Sequence, residues 1–208
     1  MKNIFCRGLT SLVFTIVFTI TSYAQNKSLK IGDPVPESFW TTPLKTVNHP
    51  QKTIKLSEDK NKLILIDFWS TWCSACLMSL PKIEALQQKF GNKVKILPVS
   101  SQDKSALEKF FSSSNGKKYK NLLSTYEDKK LHELFPHAGV PFIIWIKDGK
   151  VFNSTDAGQL TEQTINEVLN GDKSSLQTII QMNRERPLML SEDYDRQRNV
   201  QLLNYSFF

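Results

Sequence analysis

The segment LILIDFWSTWCSACLMSLP, Leu63 to Pro81, decides how the rest of the chain is read. Four consecutive apolar residues, Leu63 to Ile66, lead into Asp67, after which Phe68 and Trp69 restore the apolar character. A run of this length and continuity reads as a central strand covered on both faces. Six residues after Asp67 comes Cys73, followed by Cys76 in Cys-x-x-Cys spacing. From there Leu80, Ile83, Leu86 and Phe90 recur at helical intervals, with Lys82, Glu84, Gln87 and Lys89 on the polar side. The segment is strand, short loop and amphipathic helix, with the cysteines at the loop-to-helix junction.

A cysteine at the first turn of a helix meets unpaired backbone N–H groups and the positive end of the helix dipole, which favour thiolate over thiol. With a helix starting near Ser74, Cys73 takes that position and its sulfur is expected to be exposed. Cys76 lies one turn later, within reach and less accessible. The pattern suits a two-step exchange in which Cys73 attacks a disulfide and Cys76 resolves the mixed disulfide. The resolving thiol must lose a proton while buried. Asp67, expected behind the pair with a raised pKa, is placed to accept it directly or through water. The plain alternative is an acid satisfied by backbone N–H groups at the strand end. Pro81 is expected to kink the helix rather than end it.

The chain of 208 residues has room for one domain with an appendage, and its 40% apolar and 11% aromatic content excludes global disorder. Lys2 and Arg7, the twelve-residue stretch Leu9 to Ile20 and then Ser22-Tyr23-Ala24 read as a secretory signal peptide over residues 1–24, with an uncleaved anchor helix as the alternative. Cys6 precedes the apolar run and is not placed like a lipoprotein cysteine. Removing this segment leaves Cys73 and Cys76 as the only cysteines of an exported chain, and lowers the net charge from +7 to +5 because Lys2 and Arg7 leave without an acid. The remaining basic residues are scattered through turns such as NGKKYK, a solvated surface rather than a nucleic-acid-binding one. Zinc would need two further ligands, and the only histidines, His49, His132 and His137, offer no paired motif. Each is expected on a surface or in a loop. A purely structural disulfide across so short a loop would remove little unfolded-chain entropy.

Outside the central segment, IGDPVPESF (Ile31 to Phe39) reads as an extended lead-in, and KTVNHPQKTIKL as strand, turn and strand. Val94 to Val99 is a second strand. Helical segments follow around Asp103 to Ser113 and Glu127 to Phe135. Phe142 to Ile146, an Asp148-Gly149 turn and a return strand from Lys150 form a hairpin. Thr161 is expected to cap a last core helix that stops at Gly171. The order β-α-β, then hairpin, then helix, predicts an α/β fold with a mixed central sheet flanked by helices and an N-terminal β-hairpin extension. Residues 25–171 form this domain. Leu176 to Met182 is compatible with one more helix. Residues 172–208 otherwise fit no core element, and composition leaves open whether they are an appendage or part of a second region.

The block IDFWSTWCSACLMSLPKIEAL resembles the active-site region of the thioredoxin superfamily, with the acid six residues before the first cysteine and a proline five after the second. The lead-in and the extra helical matter between Val99 and Phe135 resemble the TlpA/ResA-type branch, the extracytoplasmic thiol–disulfide reductases of bacteria. The resemblance covers roughly Leu29 to Gly171. It implies a thioredoxin fold and a cis proline facing the cysteines, matched by Val140-Pro141, whose backbone would pair with an extended substrate segment. It also implies that Trp72 lines the substrate groove and Trp69 supports it. Three positions depart from the family. Ser74-Ala75 replaces the usual proline-containing dipeptide, Phe142 stands where many relatives carry threonine, and the lysine that often accompanies the buried acid has no match near Leu97-Pro98.

These readings make the chain an exported thiol–disulfide oxidoreductase of the periplasm or cell envelope, more a reductant than an oxidant. Protein disulfides are its expected substrates and a membrane electron donor its source of reducing equivalents, with no cofactor, metal or nucleic acid. Two alternatives are a thiol peroxidase, although FWSTWC lacks the proline expected upstream of a peroxide-attacking cysteine, and a binding module of an envelope assembly.

Overall fold

The computed structural model describes residues 28–172 and 175–181, with the backbone of residues 201–202. The leader-like segment 1–24 lies outside the described residues. The chain forms α1 (Glu37–Thr41), β1 (Leu44–Val47), β2 (Thr53–Ile54), β3 (Leu63–Phe68), α2 (Ser74–Phe90), β4 (Val94–Val99) and α3 (Lys104–Ser112). It continues with β5 (Ser124–Thr125), α4 (Lys130–Leu134), β6 (Phe142–Lys147), β7 (Lys150–Thr155), α5 (Glu162–Asn170), β8 (Ile179–Ile180) and β9 (Gln201–Leu202).

Seven strands build one mixed sheet in the order β2-β1-β5-β4-β3-β6-β7. Every residue of β3 is buried, which explains its near-continuous apolar run. It pairs parallel with β4 and antiparallel with β6. The predicted N-terminal hairpin is present as β1 and β2, and β1 extends the sheet by pairing antiparallel with β5.

Side-chain alternation along β3 divides the core in two. Leu63, Leu65 and Trp69 join the cluster that contains Cys76, Leu80, Ile83, Ile165 and Val168, the side covered by α2 and α5. Ile64, Ile66 and Phe68 face Phe39, Trp40, Leu131, Leu134 and Phe135 on the other side. Parity therefore puts Asp67 on the cysteine face.

Local signals account for the element ends. Asp148 and Gly149 both have positive φ, 52° and 71°, as a two-residue hairpin turn requires. Asp103 caps α3 by accepting from the Ala106 N–H at 2.8 Å. Thr161 and Thr164 form a reciprocal capping box at the start of α5, and Gly171 ends that helix in the left-handed region at φ 76°.

Two expectations need correction. The lead-in opens with a turn at Ile31 and Gly32, Pro34 bridges to Lys150, and Glu37 to Thr41 are helical, so that Phe39 and Trp40 are buried. Leu176 to Met182 contributes no helix among its described residues. Thr178, Ile179 and Ile180 are β-branched, and their segment lies against edge strand β7. There the Thr178 hydroxyl donates to Asn153 Oδ1 at 2.8 Å, and the Ser154 hydroxyl donates to the Ile179 carbonyl at 2.8 Å.

The capping box gives a direct test of the α5 assignment. Thr161→Ala is expected to lower stability by about 1 kcal/mol while Thr161→Ser changes it little, measured by urea denaturation.

Candidate active site

Cys73 is the N-cap of α2, with extended backbone angles (φ −86°, ψ 100°). Its sulfur accepts the Cys76 N–H at 3.1 Å, satisfying one of the free donors at the helix start. The two cysteines are joined as a disulfide, their Cα atoms 5.2 Å apart. Cys73 is the more accessible of the two, as expected, but only 6% exposed against 1% for Cys76. The expectation of an exposed sulfur is thus corrected for the oxidised form. The Val140 carbonyl oxygen sits 3.5 Å from Cys73 Sγ and covers it. The large apolar surface near the pair comes instead from Trp72 and Met78, 71% and 81% exposed.

The Val140–Pro141 peptide is cis and immediately precedes β6. Because β6 lies beside β3, the loop before it arrives at the same end of the sheet as the loop after β3. Residues far apart in sequence, Cys73 and Val140, are thereby brought into contact.

Asp67 is 1% exposed, and neither carboxyl oxygen has a hydrogen-bond partner among the described residues. The strand-end alternative with a carboxylate held by backbone N–H groups is therefore not what forms. Burial raises its pKa from 3.8 to about 7, opposed by the positive charge of Lys82. Across the β3–β4 pairing, Asp67 faces Pro98, so β4 supplies no cation. Lys82, immediately after Pro81 on α2, takes that part from another element. Its ammonium donates to the Ala157 carbonyl at 2.5 Å. Burial lowers the Lys82 pKa, while Asp156 and then Asp67 raise it. Lys82 was legible only as a polar-face residue of the helix. Pro81 lies inside α2, which runs on to Phe90.

The loop carrying Trp72 is pinned from the loop that follows β4. Gln102 accepts the Thr71 N–H at 2.7 Å and donates to the Thr71 hydroxyl at 3.1 Å. Trp69 is buried beneath it and donates from its indole N–H to the Ser124 hydroxyl at 2.9 Å. Nothing in the spacing of Gln102 marks it as a partner of Thr71.

His137 lies in a loop, as expected, whereas His132 is on α4, and both are half-buried rather than on the surface. They pack on Phe68, with ring centroids 4.8 and 4.3 Å away, on the face opposite the cysteines. Burial pushes the His137 pKa down to about 4, while its Nδ1 lies 2.8 Å from the Phe135 carbonyl.

A buried, redox-capable cysteine pair at a helix N-terminus, set against a cis-proline loop on a mixed sheet, defines a thioredoxin-fold protein. The Redoxin family model matches residues 30–168, and the chain belongs to that family. Thiol-disulfide oxidoreductase ResA of Oceanobacillus iheyensis is 33% identical over 97 residues, covering 44% of this chain and 48% of that protein. The match thus spans about half the length of that curated relative. The exposed lipoprotein thioredoxin Etrx1 of Streptococcus pneumoniae strain TIGR4 superposes with a TM-score of 0.53 at 28% identity, covering 62% of this chain and 97% of that one. Peroxiredoxin Q of Xanthomonas campestris shares the fold at 16% identity and a TM-score of 0.50, covering 71% of this chain and 96% of that one.

The raised Asp67 pKa has a consequence for stability. Between pH 3.8 and about 7 the folded protein keeps a proton that the unfolded chain releases, so stability falls as pH rises through this window and is level above it. Asp67→Asn removes the titration. The stability of this variant relative to the parent is expected to grow by roughly 4 kcal/mol from pH 4 to pH 8, measured by denaturant titration of the oxidised forms. Conversely, Lys82→Met removes the cation that favours the carboxylate. A carbon-13 NMR titration should place Asp67 higher than in the parent.

Proposed function

We propose that this protein is an exported thiol–disulfide oxidoreductase that reduces disulfides in other proteins. The observation that carries the reading is the Cys73–Cys76 disulfide at the N-terminus of α2, with the unpartnered Asp67 carboxyl on the same face of the adjoining strand. The relatives named as thiol–disulfide oxidoreductases support it, and the leader-like residues 1–24 support export.

In the reducing direction the active form is the dithiol. Cys73, favoured as thiolate by the helix terminus, attacks one sulfur of a client disulfide. That S–S bond breaks, the other client sulfur leaves as thiolate, and a Cys73–client mixed disulfide forms. Cys76 then transfers its proton to the Asp67 carboxylate, directly or through water, and attacks Cys73 Sγ. The second client sulfur departs as thiolate, and the Cys73–Cys76 disulfide remains. Two electrons have moved from enzyme to client. A pKa near 7 suits Asp67 to this task, because it can both accept and release the proton near neutral pH.

The backbone beside Val140 and Pro141 serves as the docking strand for an extended client segment, and exposed Trp72 as an apolar wall of the groove. A membrane electron donor restores the dithiol. The likeness to peroxiredoxin Q is one of fold alone, and no proline stands upstream of Cys73 in FWSTWC, so the peroxidase alternative gains no support.

The reduction potential of the pair, equilibrated against a defined dithiol buffer, tests the direction of electron flow. A value near or below about −230 mV is expected, whereas one near about −120 mV would make the protein a disulfide donor. Cys76→Ser should accumulate a mixed disulfide with clients and Cys73→Ser should form none, read by non-reducing electrophoresis. Full biological function in a variant with both cysteines changed to serine would leave the binding-module reading in its place.

A further inference from the structure

The family match ends at residue 168, yet the chain beyond it returns to the catalytic end of the sheet. Residues 175–181 run alongside β7, anchored by the two hydroxyl bonds from Thr178 and Ser154 and by the burial of Ile179, which is 2% exposed. This anchoring delivers Gln181 to the loop that precedes the cis peptide. Its side-chain oxygen accepts the N–H groups of Ala138 and Gly139, both at 2.7 Å, and its side-chain nitrogen donates to the Gly139 carbonyl at 2.9 Å. Two backbone donors and one acceptor require this orientation of the amide, since the reversed one would face donors with a donor. A single carboxamide thus fixes both polar groups of Gly139, as a neighbouring strand would.

Gly139 adjoins Val140, whose carbonyl lies 3.5 Å from Cys73 Sγ. With the polar groups of Gly139 engaged by Gln181, the adjoining Val140 carbonyl is the one directed at the cysteines. Gln102 holds the opposite loop at Thr71 in a comparable way. The two glutamines brace the two loops whose spacing sets the width of the groove.

We propose that Gln181 is a positioning residue for client binding: the segment beyond the family domain fixes the Gly139 backbone, and so presents Val140 and Pro141 in a conformation ready to pair with a client disulfide segment. This inference rests on the function proposed above, in which that backbone docks the client. Preorganisation of this kind lowers the cost of ordering the loop on binding, so it belongs in KM rather than in the chemical steps.

The test compares the full chain with its Gln181→Ala and Gln181→Glu variants, with dithiothreitol as electron source. Insulin serves as a protein disulfide and oxidised glutathione as a small one with little backbone to dock. For Gln181→Ala we expect KM for insulin to rise roughly three- to tenfold, the range that loss of a few partly exposed hydrogen bonds allows. Its kcat, the turnover of oxidised glutathione and the reduction potential of the cysteine pair should stay unchanged. Amide hydrogen exchange at Ala138 and Gly139 should quicken. Gln181→Glu keeps the acceptor but sets an oxygen against the Gly139 carbonyl, and is expected not to restore the insulin KM. An unchanged KM for insulin overturns the proposal, as does an equal loss on both substrates, which marks general destabilisation. Should the parent protein reduce neither disulfide, the oxidoreductase reading itself fails. Faster exchange at Gly139 would then retain the clamp and remove its catalytic purpose, while unchanged exchange would remove both.

Discussion

The strand β3 buries a carboxyl almost completely, and much of the site is organised around that cost. Asp67 occupies a position at which both neighbours in the sheet and the residues before and after it in the strand are buried. A charge so placed is unfavourable by several kcal/mol unless it is paired or neutralised. Here burial raises its pKa to about 7, so it keeps its proton through the usual carboxylate range, and the charge of Lys82 from α2 opposes that shift. A carboxyl whose pKa is raised towards neutrality is a poor contributor to stability and a useful one to proton transfer.

The same strand sets the rest of the geometry. Its C-terminal end leads through the Trp72 loop into α2, so the helix terminus and both sulfurs come to lie on the face that carries Asp67. Its antiparallel partner β6 begins at the cis-proline, so the loop bearing Val140 ends above Cys73. The site is therefore the meeting of two loops at one end of a sheet, each held by side-chain amides from elements outside the Cys-x-x-Cys segment.

Much of this was readable along the chain because it is local. A continuous apolar run can only be a buried strand or helix, and its length with the following helical period identified β3 and α2. Asp148-Gly149, Thr161 and Gly171 announced their turn and caps by chemistry confined to a few residues. The readings that failed involve longer-range packing. ESFWT turns helical because Phe39 and Trp40 find a core on the far face of the sheet. Ile179 and Ile180 lie extended against β7 instead of forming a helix, because the edge strand offers them partners that local periodicity does not show.

By itself the sequence determined the strand–loop–helix unit, the placing of Cys73 at a helix start, Asp67 on the same segment and the fold class, since each follows from spacing within a few turns of chain. Tertiary structure alone decided that Cys73 is covered by Val140, that the cation near Asp67 comes from Lys82 and not from β4, and that Gln102 and Gln181 hold the two loops. These contacts join residues that are neither periodic nor adjacent. They depend on which strands lie side by side and where a loop turns, and a linear pattern of polarity carries no record of either.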